Sequence, residues 1–452
     1  MSLMVSISGV RGIIGKSLTP EIIVSYASAF AEFSKHQTII IGRDGRISGK
    51  ILTNILSSTL LANGCDVQAI GICPTPTILF ALKNSDAHGG VAVTASHNPQ
   101  QWNGMKFVSE KGMFLDKNES EQFWNIAKNN SFNYACWNEI GNFSYKEIYL
   151  QQHLDAILAL PYMQKEIIKK RKIKVVLDCV NGAGGTIVPK LLEQLGCEII
   201  PLHCDVSGIF AHIPEPVPEN LSELRASVVA NKADVGFAID PDADRLAIIM
   251  ENGEPFSEEF TVVACAELIL SKQSQRNQNI VVNLSTTKAI EDITQKYNAK
   301  CVRTPVGEIN VASKMRELNS ICGGEGSGGI ILPELHWGRD GSLGVALFLQ
   351  LLSEFGGKVS ELKNSLPQYA MKKTKIEIGK LQPKEIVETL TEKFSSSAEI
   401  NLEDGIRITY PDSWIHVRAS NTEPILRIIA ESPNEQKTNE LIHSVQKIIF
   451  NS

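Results

Sequence analysis

The chain has 452 residues, of which 43% are hydrophobic and 21% charged, and a formal net charge of −6. This composition predicts a globular protein of three or four domains, and the negative charge argues against nonspecific binding to nucleic acid or to acidic lipid. The nine cysteines stand singly, and we recognise neither a signal peptide nor an apolar run of membrane-spanning length, so we expect free thiols, no membrane partner and a cytoplasmic location.

The order strand, loop, helix, strand is predicted three times, over residues 38–72, 174–201 and 280–303. Each copy begins with a short apolar run, continues with a polar or glycine-rich loop and apolar residues at helical spacing, and ends in a second apolar run. In the third copy a Ser-Thr-Thr segment at 285–287 is predicted to cap the helix. Strands that alternate with helices indicate α/β domains with parallel or mixed sheets.

The C-terminal part of the chain follows a different order. Its strands are predicted first and its helix last, which is typical of a small α+β domain. The predicted strands are 374–378, 405–409, 414–417 and 425–431, and the predicted helix is 435–449. The domain boundaries that we expect are 1–145, 146–250, 251–367 and 368–452.

A candidate nucleophile lies in Thr-Ala-Ser-His-Asn-Pro at 94–99, directly after an apolar run. Open α/β sheets place ligands at the carboxyl ends of their strands, and a residue before proline avoids the helical region, so we expect a turn there. Ser96 on this turn, beside His97 and within reach of Lys106, has the setting of a nucleophile. A capped turn with a structural serine explains the same residues, and the Ser-His pair alone does not decide between the two.

Three carboxylates follow a predicted strand in Asp240-Pro-Asp242-Ala-Asp244-Arg245. Side chains at i, i+2 and i+4 can converge on one hard cation, whereas three uncompensated charges would repel each other beside a core. An EF-hand would need glycine where Arg245 stands. The segment therefore predicts a metal site.

Two further loops carry polar groups. The glycine-rich loop 323–329 offers Glu325 and Ser327 to sugar hydroxyls, although a flexible turn is an equal explanation. The segment 418–424 presents many hydrogen-bond donors and one fixed cation, which suits a phosphate that is not transferred, although a polar hairpin loop is the alternative.

Taken together, these segments resemble the α-D-phosphohexomutase superfamily, which includes phosphoglucomutases, phosphomannomutases and phosphoglucosamine mutases. The matching segments are SGVRG at 8–12, TASHNP at 94–99, NGMK at 103–106, DPDADR at 240–245, GEGSGG at 324–329 and RASNTEP at 418–424. The resemblance implies three similar α/β domains and a smaller C-terminal α+β domain around a central cleft.

The resemblance also implies roles for individual residues. Ser96 would be the phosphoserine, first phosphorylated by a hexose bisphosphate or by another phosphorylation, and its phosphate would bind Mg²⁺ together with the three aspartates. The implied catalytic residues are Ser96, His97, Lys106, Arg11 and Arg245, and the implied metal ligands are Ser96, Asp240, Asp242 and Asp244. The implied substrate-binding residues are Thr304, Gly307, Glu325, Ser327, Arg418, Ser420, Asn421, Thr422 and Arg427.

The implied activity is the interconversion of hexose 1-phosphate and hexose 6-phosphate through a bisphosphosugar. We expect glucosamine phosphate as the substrate, with phosphomannomutase/phosphoglucomutase activity the close alternative. A sugar-phosphate phosphatase and a non-catalytic sugar-phosphate-binding protein are the alternatives of other classes. Small hexose phosphates are the expected partners, and a monomer and a homodimer remain open.

One position departs from the superfamily pattern. Many members carry histidine at the last position of the sugar loop, where this chain has Gly329. The proton carrier therefore stays open between Lys106 and His97. The nearby His336 is expected to be a surface residue.

Overall fold

The computed structural model describes residues 3–7, 9–273, 278–378, 382–420 and 425–451. The chain forms two compact units, Met1–Thr261 with Ser327–Lys363 and Val262–Gly326 with Asn364–Ser452, which we call the first and the second unit. Within the described ranges, no helix is both long and apolar enough to cross a bilayer. The nine cysteines all lie in these ranges as free thiols, as predicted.

The first unit begins with a mixed seven-stranded sheet. Its elements are β1 (Met4–Ser6), β2 (Gly9–Ile13), α1 (Pro20–Phe33), β3 (Ile39–Arg43), α2 (Gly49–Ala62), β4 (Val67–Ile72), α3 (Thr75–Lys83), β5 (Gly89–Val93), β6 (Trp102–Ser109), α4 (Lys117–Asn129) and β7 (Phe143–Tyr145). The strand order is β1-β2-β6-β5-β3-β4-β7. The strand β3 is parallel to β4 and β5, whereas β6 is antiparallel to both β5 and β2.

The antiparallel return of β6 determines which residues meet at the end of β5. The chain leaves β5, turns, and comes back so that Lys106 lies opposite Ala92. On the other side of β6, Arg11 of β2 lies opposite Gly104. A cluster of aromatic rings that includes Phe30, Phe107 and Phe123 packs beneath this sheet. The two cationic side chains are thus carried on strands next to the turn of Ser96.

A second sheet of four strands follows in the same unit. Its elements are α5 (Ile148–Leu158), α6 (Lys165–Arg171), β8 (Lys174–Asp178), α7 (Val188–Gln194), β9 (Glu198–Leu202), α8 (Ser222–Ala230), β10 (Val235–Ile239) and β11 (Leu246–Met250). The order is β11-β10-β8-β9, with β8 parallel to β9 and β10 and with β11 antiparallel to β10. The loop 240–245 is therefore the connection of a β-hairpin.

The next part of the chain contributes to both units. Its elements are α9 (Glu259–Ser271), β12 (Asn279–Asn283), α10 (Ala289–Lys296), β13 (Lys300–Thr304), α11 (Glu308–Leu318), β14 (Cys322–Glu325), β15 (Gly329–Ile331), α12 (Gly341–Phe355) and α13 (Val359–Ser365). In the second unit, β12 lies between β13 and β14 and is parallel to both. The strand β15 and the apolar helix α12 belong to the first unit.

The second unit ends with an antiparallel sheet and two helices. These elements are β16 (Ala370–Glu377), α14 (Pro383–Phe394), β17 (Glu399–Asn401), β18 (Ile406–Thr409), β19 (Trp414–Ala419), β20 (Ile425–Ser432) and α15 (Glu435–Asn451). The strand order is β16-β20-β19-β18-β17. One hydrophobic cluster joins the buried faces of the sheet to α14 and α15.

The predicted fold class is confirmed, with three differences in detail. The helix α14 and the short strand β17 were not predicted, so a helix also stands between the C-terminal strands. The predicted cap at 285–287 is confirmed only in part: α10 begins one residue later, after Lys288, and the Thr287 hydroxyl accepts a hydrogen bond from its first backbone N–H, that of Ala289, at 3.2 Å. The domain boundaries given above remain a proposal.

Candidate active site

Ser96 lies on the turn after β5 in a strained backbone conformation. Its φ angle is 49°, a left-handed value that costs energy for a residue with a side chain. Its backbone N–H donates to Thr94 Oγ1 at 2.9 Å, and only 2% of the residue is exposed. Ser96 Oγ lies 3.3 Å from His97 Nδ1 and donates to Asp240 Oδ2 at 3.2 Å. The predicted nucleophile and the predicted metal loop therefore meet.

Arg46 holds the backbone of this turn. Its guanidinium donates to the carbonyl oxygens of Ser96 and Asn98 at 2.6 and 2.7 Å, and to those of Pro99 and Trp102 at 2.9 Å each. Its Nε donates to Asp44 Oδ2 at 3.1 Å. Arg46 is fully buried, so these bonds form in a low dielectric, where they are strong. They hold the strained turn in place.

The three carboxylates of the hairpin loop converge. Asp240, Asp242 and Asp244 are all buried, and each has a carboxylate oxygen within 4.8 Å of the others. The hydroxyl of Thr75 donates to Asp242 Oδ2 at 2.9 Å. Among the described residues, Asp242 Oδ1 and Asp244 Oδ1 have no hydrogen-bond partner. Buried oxygens without partners are costly, and a hard divalent cation takes oxygen ligands, so the donor set fits such an ion.

Cationic side chains surround the carboxylates. Lys106 Nζ lies 2.7 Å from Asp242 Oδ2 and 3.4 Å from Asp244 Oδ2. Arg339 Nη2 lies 2.8 Å from Asp244 Oδ2, and Arg245 Nε lies 3.7 Å from Asp244 Oδ1. The backbone N–H of Arg245 donates to the Asp240 carboxylate. Cations at these distances stabilise a buried anion.

This environment shifts the pKa values of Asp240 and Asp244 in opposite directions. Burial, followed by the charges of Asp244 and Asp242, raises the pKa of Asp240 well above its usual range. Burial also acts to raise the pKa of Asp244, but Arg339, Lys106 and Arg245 outweigh it, and the pKa of Asp244 lies well below its usual range. Without a bound cation, this environment therefore favours the protonated form of Asp240 and the ionised form of Asp244.

The remaining predicted residues of this group lie on the same side of the turn. Arg11 donates to Asn98 Oδ1 at 3.3 Å. Burial lowers the pKa of the Arg11 guanidinium, although the negative charge of Asp242 acts to raise it. The charge of Arg245, burial and the charge of Arg11 lower the pKa of His97 to about 2. The imidazole is therefore neutral and a poor proton acceptor in the unphosphorylated enzyme.

The last part of the sugar loop is in the first unit and contacts an arginine that the sequence did not single out. Ser327 Oγ accepts a hydrogen bond from Arg339 Nη1 at 2.9 Å. The prediction for His336 is wrong, because this residue is fully buried and its Nε2 lies 3.1 Å from Asp340 Oδ2. His336 is flanked by Leu335 and Trp337, and these apolar neighbours do not identify a carboxylate partner four residues away.

A second group of predicted residues lies together in the second unit. Glu325 Oε1 accepts hydrogen bonds from Asn283 Nδ2 and from the backbone of Gly307, both at 2.9 Å. Asp404 Oδ2 accepts from Arg418 Nε at 2.8 Å and from the backbone of Val306 at 3.0 Å. Asp404 therefore links the predicted phosphate segment to the turn 304–307.

Three further predicted substrate-binding residues lie near this group in sequence, and two more lie outside the described residues. Thr304 is buried, and its hydroxyl donates to the carbonyl of Pro305. Ser420 forms a backbone bond to Ile425, and Arg427 lies opposite Arg418 in the pairing of β19 and β20. Asn421 and Thr422 lie outside the described residues.

Sequence reasoning missed Arg46, Arg339 and Asp404. Each is a charged residue immediately beside a glycine or a second charge at the end of a predicted strand or loop, as in Asp44-Gly45-Arg46 and Arg339-Asp340-Gly341. A charge next to a glycine is only a weak local signal, because Arg46, Arg339 and Asp404 contact partners that lie far along the chain.

Family models match almost the whole chain in the expected order. They are described as phosphoglucomutase/phosphomannomutase alpha/beta/alpha domain I, domain II and domain III and the C-terminal domain, and they cover residues 4–134, 151–253, 257–369 and 374–448.

Full-length relatives and a solved structure agree with these models. The chain is 37% identical to a phosphoglucomutase/phosphomannomutase of Thermococcus kodakarensis, with 98% of this chain and 97% of the relative covered. It is 34% identical to a probable phosphoglucosamine mutase of Methanopyrus kandleri, with 96% and 95% covered. A phosphoglucomutase/phosphomannomutase family protein of Burkholderia thailandensis has a similar structure, with a TM-score of 0.86, 26% identity, and 98% and 97% coverage.

The four matched domains, together with the buried cluster of serine, aspartate and cationic side chains, define a phosphohexomutase. This is an isomerase that works by intramolecular phosphoryl transfer. The chain belongs to the phosphoglucomutase/phosphomannomutase family of the α-D-phosphohexomutase superfamily.

Proposed function

We propose that the protein interconverts the 1-phosphate and 6-phosphate of a hexose through a phosphorylated Ser96 and a bisphosphosugar intermediate. The observation that carries the proposal is the contact between Ser96 Oγ and Asp240 inside a buried cluster of three carboxylates. Neither a structural serine nor a simple binding protein needs a strained, buried hydroxyl beside such a cluster.

The chemistry is a pair of phosphoryl transfers. In the first, the bond between Ser96 Oγ and phosphorus breaks while phosphorus bonds to the free sugar hydroxyl, whose proton passes to a base. The second transfer runs in reverse with the other phosphate of the bisphosphosugar, which restores the phosphoserine. Lys106, Arg11 and Arg245 would stabilise the charge on the transferred group, since such transfer depends on positioning and charge compensation.

Mg²⁺ is the proposed cofactor. The three aspartates and the phosphate of Ser96 would hold it, and when bound it would neutralise charge on the phosphoryl oxygens. The unpartnered Asp242 Oδ1 and Asp244 Oδ1 support this assignment.

Lys106 and His97 stay the two candidates for the proton carrier. Lys106 Nζ lies 2.7 Å from Asp242, a contact that favours its ammonium form, which can give a proton, whereas His97 is neutral but a weak base, because its pKa is lowered to about 2. The phosphate dianion on Ser96 would raise the pKa of His97, so the assignment is tested on the phosphorylated enzyme by comparing Lys106→Met with His97→Gln.

Substrate recognition is assigned to two sets of residues. Glu325, Ser327, Thr304 and Gly307 are proposed to contact sugar hydroxyls. Arg418, Ser420 and Arg427, with Asn421 and Thr422, are proposed to bind the phosphate that is not being transferred. The link between Asp404, Arg418 and the 304–307 turn supports a shared site for sugar and phosphate in the second unit.

Glucosamine phosphate is the proposed substrate, because the relative from Methanopyrus kandleri carries the name of a probable phosphoglucosamine mutase. The relative from Thermococcus kodakarensis makes phosphoglucomutase/phosphomannomutase activity the alternative. Comparison of kcat/KM for glucosamine, glucose and mannose 6-phosphates decides between them.

The decisive test is a Ser96→Ala variant. We expect it to fold, to lack the phosphoryl mass increment and to lose mutase activity by several orders of magnitude. Ser57→Ala is the matched control, because Ser57 is also buried and its hydroxyl has no partner among the described residues. Substantial mutase activity in Ser96→Ala would overturn the proposal, and release of inorganic phosphate by the wild type in place of an isomer would indicate a phosphatase.

A further inference from the structure

Gly329 has no room for a side chain, because the stem of Arg339 lies over it. A Cβ atom built on Gly329 would lie 2.4 Å from Arg339 Cδ and 2.8 Å from its Cβ and Cγ. Carbon atoms in proteins do not approach so closely. The glycine at 329 and the arginine at 339 therefore form a sterically matched pair.

The guanidinium group of Arg339 forms hydrogen bonds with residues of two loops of the site. Arg339 Nη2 donates to Asp244 Oδ2 at 2.8 Å, and Nη1 donates to Ser327 Oγ at 2.9 Å. Arg339 is 7% exposed, so both bonds are shielded from water. A guanidinium can only donate, so Ser327 must accept this bond and its own hydrogen remains for a different acceptor.

The backbone on both sides of Arg339 is anchored. On one side, Gly338 N–H donates to His336 Nδ1 at 3.1 Å. On the other, the Asp340 carboxylate accepts from the backbone of Ser342 and Leu343 and caps α12. Gly341 N–H donates to Ala243 O at 3.0 Å, which ties the segment to the hairpin loop.

Asp340 is itself held by two buried histidines. His153 Nε2 lies 2.9 Å and His336 Nε2 lies 3.1 Å from its Oδ2. His336 Nδ1 accepts from Gly338 N–H, so the His336 ring presents its Nε2 hydrogen to Asp340. His153 Nε2 faces the same carboxylate, which accepts and does not donate when it is ionised, so His153 also presents its Nε2 hydrogen to Asp340. The cluster is thus a hydrogen-bonded support for the Arg339 segment.

We propose that Arg339 is a positioning residue of the phosphoryl-transfer site. It fixes Asp244 so that Oδ1 is left for a cation, and it orients Ser327 as a hydrogen-bond donor to a substrate oxygen. The proposal rests on the mutase function proposed above for the same site. Arg339 acts through Asp244 and Ser327 and need not touch the substrate.

The hydrogen bonds of Arg339 predict effects on both turnover and Mg²⁺ binding. Arg339→Met keeps the stem over Gly329 but removes both hydrogen bonds and one positive charge next to the carboxylates. We expect kcat/KM to fall about 10–100-fold, as for other residues that orient metal or substrate ligands. Because Asp244 is no longer held for the cation, Mg²⁺ should bind more weakly than to the wild type when measured by calorimetry.

Three results are informative for this variant. Arg339→Lys should retain more activity than Arg339→Met, because it keeps a cation near Asp244. In a Ser327→Ala background, Arg339→Met should cost less than in the wild type, because its hydrogen bond to Ser327 is already absent. Wild-type Mg²⁺ affinity in Arg339→Met, or an additive double mutant, would reduce Arg339 to a structural role and overturn the proposal.

The steric match between Gly329 and Arg339 is tested by a double-mutant cycle that requires no measurement of enzyme activity. Gly329→Ala should lower the melting temperature in the wild type and should do so much less in Arg339→Gly, which removes the stem. Equal effects in the two backgrounds would contradict the matched pair. This double-mutant cycle measures only melting temperatures, so its result does not depend on the proposed mutase function. Mutase activity without phosphorylation of Ser96 would refute the proposed role of Ser96, but it would not affect the steric match between Gly329 and Arg339.

Discussion

Arg46 illustrates how much one buried side chain contributes to the loop of the nucleophile. It satisfies four carbonyl oxygens of the 96–102 turn and pairs with Asp44, and both charged side chains are fully buried. Burial raises the pKa of Asp44 in spite of the Arg46 charge. Removal of Arg46 would leave the carbonyls and the carboxylate without their partner.

We therefore predict that Arg46→Met loses about 3–5 kcal/mol of unfolding free energy, the usual cost of breaking a buried ion pair, together with most of the activity. Chemical denaturation and mutase assays measure the two effects. Arg225→Met is the control, because its ion pair with Glu254 is largely exposed and should contribute less than about 1 kcal/mol. Similar losses in both variants would contradict the role given to Arg46.

The opposite pKa shifts of Asp240 and Asp244 predict opposite effects of the same substitution. The pKa of Asp240 is raised in the folded protein, so its ionised form destabilises the fold above the unfolded pKa, and Asp240→Asn should stabilise the cation-free protein at pH 7. The pKa of Asp244 is lowered, so its charge stabilises the fold at that pH, and Asp244→Asn should destabilise it.

Melting temperatures of Asp240→Asn and Asp244→Asn, measured in the presence of a chelator, test whether the two substitutions change stability in opposite directions. Both variants should also lose the activity that depends on Mg²⁺. A shift of the same sign in both variants would contradict the opposite directions of the two pKa shifts. Asp205→Asn serves as the control for loss of a carboxylate, because Asp205 is exposed and lies outside the cluster.

At the scale of elements, β19 carries a buried histidine that should make the second unit sensitive to acid. His416 Nε2 donates to Asp404 O at 2.6 Å and its Nδ1 accepts from Ser285 Oγ at 2.8 Å, so the ring is held neutral. Burial lowers the pKa of His416 from 6.5 to about 4. The unfolded chain therefore binds a proton between these values while the folded strand does not.

We predict that the stability conferred by neutral His416 is full above pH 6.5 and is lost as the pH falls towards about 4. The loss reaches about 3 kcal/mol if each pKa unit contributes about 1.4 kcal/mol. Hydrogen exchange of β18 and β19 at pH 7 and pH 5, corrected for the intrinsic rate, measures it. His416→Gln should abolish the difference, and its persistence in that variant would assign the acid sensitivity elsewhere.

The elements also show where sequence reasoning succeeds and where it stops. The strands that lead to Ser96 and to Asp240 are continuous apolar runs, so their ends, and the polar loops that follow, could be located from local pattern alone. The helix α10 shows the limit. The Thr287 hydroxyl accepts from the backbone of Ala289 as a cap would, but Glu431 of β20, which accepts from that hydroxyl and from the backbone of Lys288, could not be predicted.

A partner more than one hundred residues away in sequence leaves no local trace, and the same reason explains the residues missed at the site. Arg46 contacts a turn about fifty residues along the chain, and Arg339 contacts Asp244 across ninety-five. The motif residues were recognisable from their segments, whereas the side chains that support them became visible only once the fold had brought those segments together.

At the scale of the whole molecule, the proposed chemical residues and most of the proposed recognition residues belong to different compact units. Ser96, the three aspartates and Lys106 lie in the first unit, whereas Glu325 and Arg418 lie in the second. A ligand that binds only the carboxylate cluster should therefore act first on the stability of the first unit, since binding stabilises the folded state of the segments that form the site.

We predict that Mg²⁺ alone slows hydrogen exchange in β10, β11 and the loop between them more than in β19 and β20. At a free concentration of about 100 times Kd, the stabilisation should approach 2.7 kcal/mol. Exchange of the full chain followed by mass spectrometry measures it, and Asp242→Asn, which removes one unpartnered carboxylate oxygen, should abolish the effect. Protection that persists in this variant, or that appears in β19 and β20 but not in the hairpin, would mean that the cation binds elsewhere and that the three carboxylates are not its ligands.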